Sequence, residues 1–232
     1  MTRQPLDNPI WAALETDHAR FASGNADAKR YPRDVAPFAG IAGLAVAGRG
    51  ASVEESLASL LQASDSVYLI GPLPASDRWL IEMEASVLQM TCPSPQALMP
   101  SPTEYRELHE PDVAAMLELT SLVFPGYFRE RTFLMGRYLG IFSDGVLVAM
   151  AGERMGLRGY REISAVCTRP GFTGRGYAGM LISVLGRSLI AEGIVPFLHL
   201  SPENTRARSL YRLLGFVERC ELPLTRIALP RR

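Results

Sequence analysis

The feature that most constrains the fold is a glycine-rich segment, TGRGYA at residues 173–178, that runs directly into a helical pattern. Apolar residues recur there at helical spacing, which predicts an amphipathic helix whose buried face contains Ala178, Leu181, Ile182, Leu185 and Leu189. The first turn of a helix has N–H groups without partners and the positive end of the helix dipole, and glycine lets a phosphate approach them closely. The segment therefore predicts a backbone site for a phosphate-bearing molecule.

Two other phosphate-binding motifs compete for this segment. A Walker-type loop is excluded because no Gly-Lys-Ser/Thr follows the glycines. The letters Gly174-x-Gly176-x-x-Gly179 match the dinucleotide-binding fingerprint, and Glu203 lies where a ribose-binding acid belongs. However, residues 169–173 separate the preceding strand from the glycines, and a doubly wound sheet cannot be completed in the 29 residues after Glu203. A dinucleotide-binding oxidoreductase is therefore the less favoured alternative.

Around the glycine-rich segment the hydrophobic pattern predicts an α/β fold. A strand at 162–168 precedes it and ends at Pro170, because proline cannot extend a ladder of hydrogen bonds. A hairpin with a Ser-Asp-Gly turn at 143–145 joins strands at 139–142 and 146–153, so the three strands form an antiparallel meander. The pattern then becomes helix, strand, helix and strand, and another helix is predicted at 111–123.

The N-terminal part predicts helices at 9–22 and from Ser52, and strands at 40–46, 66–70 and 78–90. Four prolines follow within the ten residues from 93 to 102, which is typical of a linker. We therefore predict an additional N-terminal α/β domain over residues 1–98, of unknown role, and a second domain over residues 103–227.

Composition restricts the partners and the compartment. The 24 basic and 24 acidic residues cancel, so the chain as a whole has no charge that attracts nucleic acid or an anionic membrane. The sequence shows no signal peptide and no apolar run of membrane-spanning length. The three cysteines are widely spaced, with no CxxC pair to hold a metal. These features predict a cytoplasmic protein without a metal; a homodimer is left open.

The downstream motif resembles a known family. Thr168-x-Pro170 and GRGYA are followed by a helix, a strand and then Asn-x-x-Ala-x-x-Leu-Tyr-x-x-Leu-Gly-Phe at residues 204–216. This series is similar to the Gcn5-related N-acetyltransferases (GNAT), particularly the bacterial FR47-like group, over residues 103–227. The resemblance implies the GNAT fold, a mixed, mostly antiparallel sheet flanked by helices. It also implies an acetyl-CoA-dependent N-acetyltransferase that transfers acetyl by direct attack of a primary amine, on a small molecule or an amino acid.

The resemblance also implies which residues bind acetyl-CoA. The loop pattern of the family falls on Thr173, Gly176 and Ala178, although the family usually has arginine or glutamine where this chain has Thr173. The edge of the strand would pair with the pantetheine arm, and Asn204 would hold that arm from the second helix. The implied cofactor-binding residues are Val166, Cys167, Thr168, Thr173, Gly174, Arg175, Gly176, Tyr177, Ala178, Asn204 and Tyr211.

Three catalytic roles follow from the same resemblance. The Val166 N–H would polarise the thioester carbonyl, and Tyr211 would protonate the departing thiolate. Alternation along the strand places Glu162 on the face of Ser164, Val166 and Thr168, so Glu162 could deprotonate the amine directly or through water.

Each candidate also has a structural interpretation. Tyr211 could pack beneath the sheet, a carboxylate at a strand start such as Glu162 is usually solvated, and Asn204 could cap a helix. His199 is interpreted as a core or sheet-edge histidine, and Cys167 as an inert buried thiol that strand alternation places on the same face as Ile163 and Ala165.

The acceptor side is the least determined part of the sequence. An aromatic pocket from Phe124, Tyr127 and Phe128 with Arg129 competes with an ordinary packing cluster, and the N-terminal part could contribute to the same wall. A second function remains open, a non-catalytic sensor that binds acyl-CoA without transferring its acyl group.

Overall fold

The computed structural model describes residues 4–43, 50–62, 65–94 and 104–230. Eleven strands and five α-helices are present in these ranges. The strands are β1 (Ser23–Gly24), β2 (Ala28–Arg30), β3 (Ala39–Ile41), β4 (Ser66–Ile70), β5 (Leu80–Thr91), β6 (Arg106–Glu107), β7 (Tyr138–Ser143), β8 (Val146–Leu157), β9 (Tyr160–Thr168), β10 (Val195–Leu200) and β11 (Val217–Ala228). The helices are α1 (Pro9–Glu15), α2 (Gly50–Leu60), α3 (Val113–Val123), α4 (Tyr177–Ala191) and α5 (Thr205–Leu213).

Eight strands form one sheet in the order β4-β11-β5-β10-β9-β8-β7-β6. Only β9 and β10 are parallel neighbours in it; the other six pairs are antiparallel. The predicted fold class, a mixed and mostly antiparallel sheet flanked by helices, is confirmed. A dinucleotide-binding fold is wrong for this chain, because such a fold requires a mostly parallel sheet.

Strands from both sides of the predicted domain boundary share this sheet. β5 comes from the predicted N-terminal domain and lies between β10 and β11 of the predicted C-terminal domain. The parts before 98 and after 103 therefore do not build separate sheets, except for the small β1-β2-β3 sheet near α2. Most of the predicted linker, residues 95–102, lies outside the described residues.

The two faces of the large sheet are covered by different helices. Leu198 and Leu200 of β10 pack with the apolar face of α4, as the helical spacing predicted. Phe197, one residue out of phase, points to the opposite face and packs with Ile10 and Leu14 of α1. The helix α3 lies further along that second face, over β8 and β9. The core is thus two layers of helix on a central sheet.

Element bounds differ from prediction mainly near the N-terminus. The predicted helix at 9–22 is α1 followed by a 3-10 turn, Ala19–Phe21, because the chain leaves the helical conformation at Thr16. Just beyond that point the buried His18 contacts Tyr31 Oη at 2.9 Å and the Met135 carbonyl at 3.1 Å. These tertiary contacts override the local helical pattern. The predicted strand at 40–46 is represented by β3, and residues 44–49 lie outside the described residues.

Candidate active site

The parallel strands β9 and β10 separate part of the way along their length. Only three residue pairs join them, ending at Glu162 opposite Phe197, and from there β10 stays paired with β5 on its other side. Among the described residues, the edge of β9 that faces away from β8 has no strand partner from 163 to 168. A cleft therefore opens between the two strands at the centre of the sheet.

β9, the strand that borders the cleft, contains a β-bulge in its pairing with β8. Ser164 pairs with Gly152 and Cys167 pairs with Met150, so two residues of β9, Ala165 and Val166, lie opposite one residue of β8. Ala165 has a φ of 52°, the left-handed region that a bulge often requires. A bulge leaves its extra residue out of the ladder, so backbone donors become free to face a ligand.

The bulge corrects two predictions that were based on strict alternation. Val166 packs with Ile163 on the α4 side of the sheet, whereas Cys167 packs with Ala165 on the α3 side. Glu162 therefore does not share a face of the sheet with Val166, and Cys167 does not share a face with Ile163. Cys167 is 3% exposed, and burial raises the pKa of its thiol to about 12, which suits an inert thiol.

The glycine-rich loop and the start of α4 have the geometry of an anion site. Gly174 and Gly176 have φ values of 82° and 78°, and a side chain added at either position would contact nothing within 4 Å. The helix begins after Gly176, whose carbonyl accepts the Met180 N–H at 3.0 Å, so the N–H groups of Tyr177, Ala178 and Gly179 precede the first helical bond. This loop is exposed and fits a pyrophosphate.

Two predicted residues belong to α5 and its N-terminal cap. Asn204 caps the helix, because its Oδ1 accepts the Ala207 N–H at 3.0 Å. Tyr211 is buried and its ring lies 5.9 Å from that of Phe216, yet it also lines the cleft. Burial raises the pKa of its phenol to about 12. The structural and the functional interpretation of Tyr211 are thus compatible.

Glu162 is buried instead of solvated, which corrects the expectation for a strand start. Its two oxygens accept hydrogen bonds from Nε and Nη2 of Arg154, both at 2.7 Å, and Oε1 also contacts His199 Nδ1 at 2.8 Å. Burial alone would raise the pKa of this carboxyl, but the charge and hydrogen bonds of Arg154 outweigh it and lower the pKa to about 2. A carboxylate held in this way is a poor proton acceptor and does not line the cavity described below.

The hydrogen bonds around His199 determine which of its ring nitrogens carries the proton. Gln89 Oε1 accepts from Arg219 at 3.0 Å, so the Gln89 amide nitrogen donates to the Leu6 carbonyl and to His199 Nε2, each at 3.0 Å. His199 Nε2 must then be an acceptor, and Nδ1 carries the proton that is donated to Glu162. The Glu162–His199 bond consequently joins β9 to β10 where the two strands begin to separate. Sequence reasoning missed these partners, which are distant along the chain.

The cleft widens into a cavity of about 680 Å³. Ser164, Val166, Leu200, Ser201 and Tyr211 line it at the cleft. The opposite wall contains the predicted Phe124, Tyr127 and Phe128, but not Arg129. The N-terminal part also contributes to this wall, a contribution that the sequence suggested without identifying the residues. The lining residues from this part are Phe38, Ile70, Met83, Glu84, Ala85, Ser86 and Val87.

Neither a metal centre nor a membrane span is found in the part of the chain that the structure describes. There, no group of three or more His, Cys, Asp or Glu residues is arranged to hold a metal ion. No helix in the same ranges is long and apolar enough to cross a lipid bilayer.

A separated parallel strand pair, a bulge in β9 and a glycine loop at a helix N-terminus lie in a sheet of the fold class that the sequence motifs indicated. Comparison with known proteins agrees. Residues 138–222 match the FR47-like protein family. A structure of a GNAT-family protein from Novosphingobium aromaticivorans is 33% identical over 99% of this chain and 100% of its own, with a TM-score of 0.88.

The chain therefore belongs to the GNAT family, and the predicted resemblance is confirmed. The fold is also shared with a GCN5-related N-acetyltransferase from Kribbella flavida, at 17% identity over 96% of this chain and 95% of that one, with a TM-score of 0.64. A search of curated proteins found no match. Acetyl-CoA, the predicted cofactor, is the acetyl donor that this family uses.

Proposed function

We propose that this protein is an N-acetyltransferase that moves an acetyl group from acetyl-CoA to a primary amine of a small molecule or amino acid, by direct attack. The observation that supports this most is the continuity of the β9–β10 cleft with the 680 Å³ cavity. Val166 and Tyr211 lie at the junction, so a donor on the α4 side and an acceptor on the other side would meet there.

The donor site would be made mostly of backbone. The N–H groups of Tyr177, Ala178 and the preceding loop would bind the pyrophosphate, which makes a long side chain at position 173 dispensable; the Thr173 hydroxyl is a further donor. The free edge of β9 at 166–168 would pair with the pantetheine arm. Asn204 keeps an amide nitrogen for this arm, because only its Oδ1 serves as the cap.

The chain's own residues would act at three points in the reaction. Bound acetyl-CoA supplies an activated thioester. The Val166 N–H at the bulge would donate to the thioester oxygen, where negative charge develops. Tyr211 would donate to the departing sulfur, since a phenol with a pKa of about 12 stays protonated at neutral pH. Glu162 would act as a positioning residue that holds β9 to β10, and the amine proton would leave to solvent.

The test is CoA release from acetyl-CoA by the purified protein over a panel of primary amines, with CoA affinity measured by calorimetry. We expect CoA binding and amine-dependent thiol release, and density for the pyrophosphate against residues 173–178 in a CoA-bound crystal structure. Binding without release over the whole panel would favour the acyl-CoA sensor. Absence of binding would reject both functions.

A further inference from the structure

A second bulge points a single arginine at the acceptor side of the cavity. Glu153 pairs with Ile163 and Gly156 with Arg161, so Arg154 and its neighbour lie opposite one residue, Glu162. Bulges change the direction of side chains and are frequent beside active sites. Here the Arg154 guanidinium lies over the Phe38 ring at 4.7 Å, and its side chain is only 14% exposed.

Arg154 has hydrogen-bonding capacity that the protein itself does not use. Nε and Nη2 donate to Glu162, whereas Nη1 has no hydrogen-bond partner among the described residues, and Arg154 is one of the residues that line the cavity. Arg154 is also the only lysine or arginine among the described residues that line this cavity, whose acidic lining residues are Glu84 and Glu203. A cationic donor in such a position favours an oxygen ligand, a carboxylate above all.

The wall around Arg154 is aromatic and apolar. The rings of the lining residues Phe38 and Tyr127 are stacked with centroids 6.4 Å apart, and the ring of Tyr68, which does not line the cavity, supports Tyr127 at a centroid distance of 4.8 Å. Other lining residues extend this surface: Ile70, Met83, Val87, Phe124, Phe128 and Leu224. The cavity volume of about 680 Å³ is in the range of roughly 300–1,000 Å³ for small-molecule sites.

We propose that the acceptor is an α-amino acid with a large apolar side chain, and that Arg154 determines this specificity. This inference rests on the proposed acetyltransferase function. The carboxylate accepts from Arg154 Nη1, the side chain packs against the aromatic wall, and the amine faces Val166 in the cleft. As the N–C bond forms, the C–S bond of the thioester breaks, the amine loses one proton and CoA leaves as the thiol.

The wild-type protein tests the proposal without any substitution. We would measure kcat/KM with acetyl-CoA for phenylalanine, phenylalaninamide, 2-phenylethylamine and alanine, each corrected for the fraction of neutral amine. Phenylalanine should exceed each of the other three by about tenfold or more, because each lacks the carboxylate or the aromatic ring. Equal values for phenylalanine and 2-phenylethylamine would overturn the role of Arg154. Equal values for phenylalanine and alanine would overturn the role of the aromatic wall.

Substitutions at the buried ion pair test the role of Arg154 directly. Arg154→Met combined with Glu162→Gln removes both buried charges, so no unpaired ion is left. In this double variant the preference for phenylalanine over 2-phenylethylamine should fall to near one, and calorimetric binding of phenylalanine to the CoA-bound protein should weaken by about tenfold or more. Arg137→Gln is the matched control, since Arg137 pairs with Glu153 on the same sheet and does not line the cavity; it should keep the preference.

The outcomes also distinguish this inference from the function on which it rests. Turnover of several amines without preference for phenylalanine rejects the amino acid acceptor and leaves the acetyltransferase in place. CoA binding with no turnover of any amine rejects both. A preserved preference in the double variant would show that Arg154 does not select the carboxylate.

Discussion

Replacement of Glu162 with glutamine should destabilise the protein strongly, because Arg154 would remain buried without a counter-charge. Glutamine keeps one acceptor oxygen but places an amide donor against the guanidinium donors. Breaking a buried ion pair from one side costs about 3–5 kcal/mol. The pKa shift of Glu162 agrees in direction: it falls from 4.5 to about 2, so the folded protein favours the charged carboxylate.

The assay is urea unfolding at pH 7, with free energies from linear extrapolation. Glu153→Gln is the matched control: Glu153 is also buried, but its partner Arg137 is 37% exposed and water can solvate the guanidinium, so the loss should be about 1 kcal/mol or less. The double variant with Arg154→Met should recover most of the stability. A loss for Glu162→Gln no larger than that for Glu153→Gln would refute this account of the pair.

The Arg154–Glu162 ion pair also predicts that the free energy of unfolding depends on pH. The folded-state pKa of Glu162 is lowered, to about 2 from an ordinary 4.5, so the unfolded chain binds more protons between these values. The stabilisation is therefore fully present above about pH 4.5 and is lost as the pH falls towards 2. In Glu162→Gln, the slope of unfolding free energy against pH should be smaller in this window; an unchanged slope would contradict the assignment.

Three other variants test the site and the fold. Tyr211→Phe should lower kcat by about 10²–10⁴-fold, as loss of a general acid does, with CoA affinity unchanged by calorimetry; equal losses of both would instead indicate a packing role. Gly176→Ala should cost about 1–2 kcal/mol of left-handed strain and weaken CoA binding, whereas Gly186→Ala, in the middle of α4 with open space around it, should not weaken binding. Burial lowers the pKa of His18 from 6.5 to about 4, so the unfolding free energy should fall by about 3 kcal/mol from pH 6.5 to 4, and His18→Gln should remove most of that slope.

The local parts of the site could be predicted from sequence. Glycines, a capping asparagine and helical spacing act within a few residues, and they located the loop before α4 and the Asn204 cap of α5. The bulge at Ala165 could not be predicted, because no glycine or proline marks it in the sequence. The only guide was the two-residue alternation of side chains along a strand, which a bulge interrupts. The acceptor wall was only partly predicted, since Phe38 and Met83 reach it through tertiary packing.

The buried polar side chains of the site also could not be paired from sequence, because their partners are distant along the chain. Glu162 and His199 are 37 residues apart, and His199 and Gln89 are 110 apart. Each lies in a different strand, and the local sequence around it gives no sign of the other two. Their burial becomes favourable only as a group in which every donor and acceptor is satisfied, and no local pattern encodes that group.

The position of β5 has a consequence for how the chain folds. β5 is made early in synthesis, yet it pairs with β10 and β11, whose last residues follow more than a hundred positions later. Both edges of β5 stay unpaired until β10 and β11 have been synthesised, so we expect slow folding dominated by contacts distant in sequence. Until then the unpaired edges must be protected from pairing with strands of other chains. A fragment starting at residue 104 would lack both β4 and β5, which would leave β11 without a strand partner and β10 with an open edge.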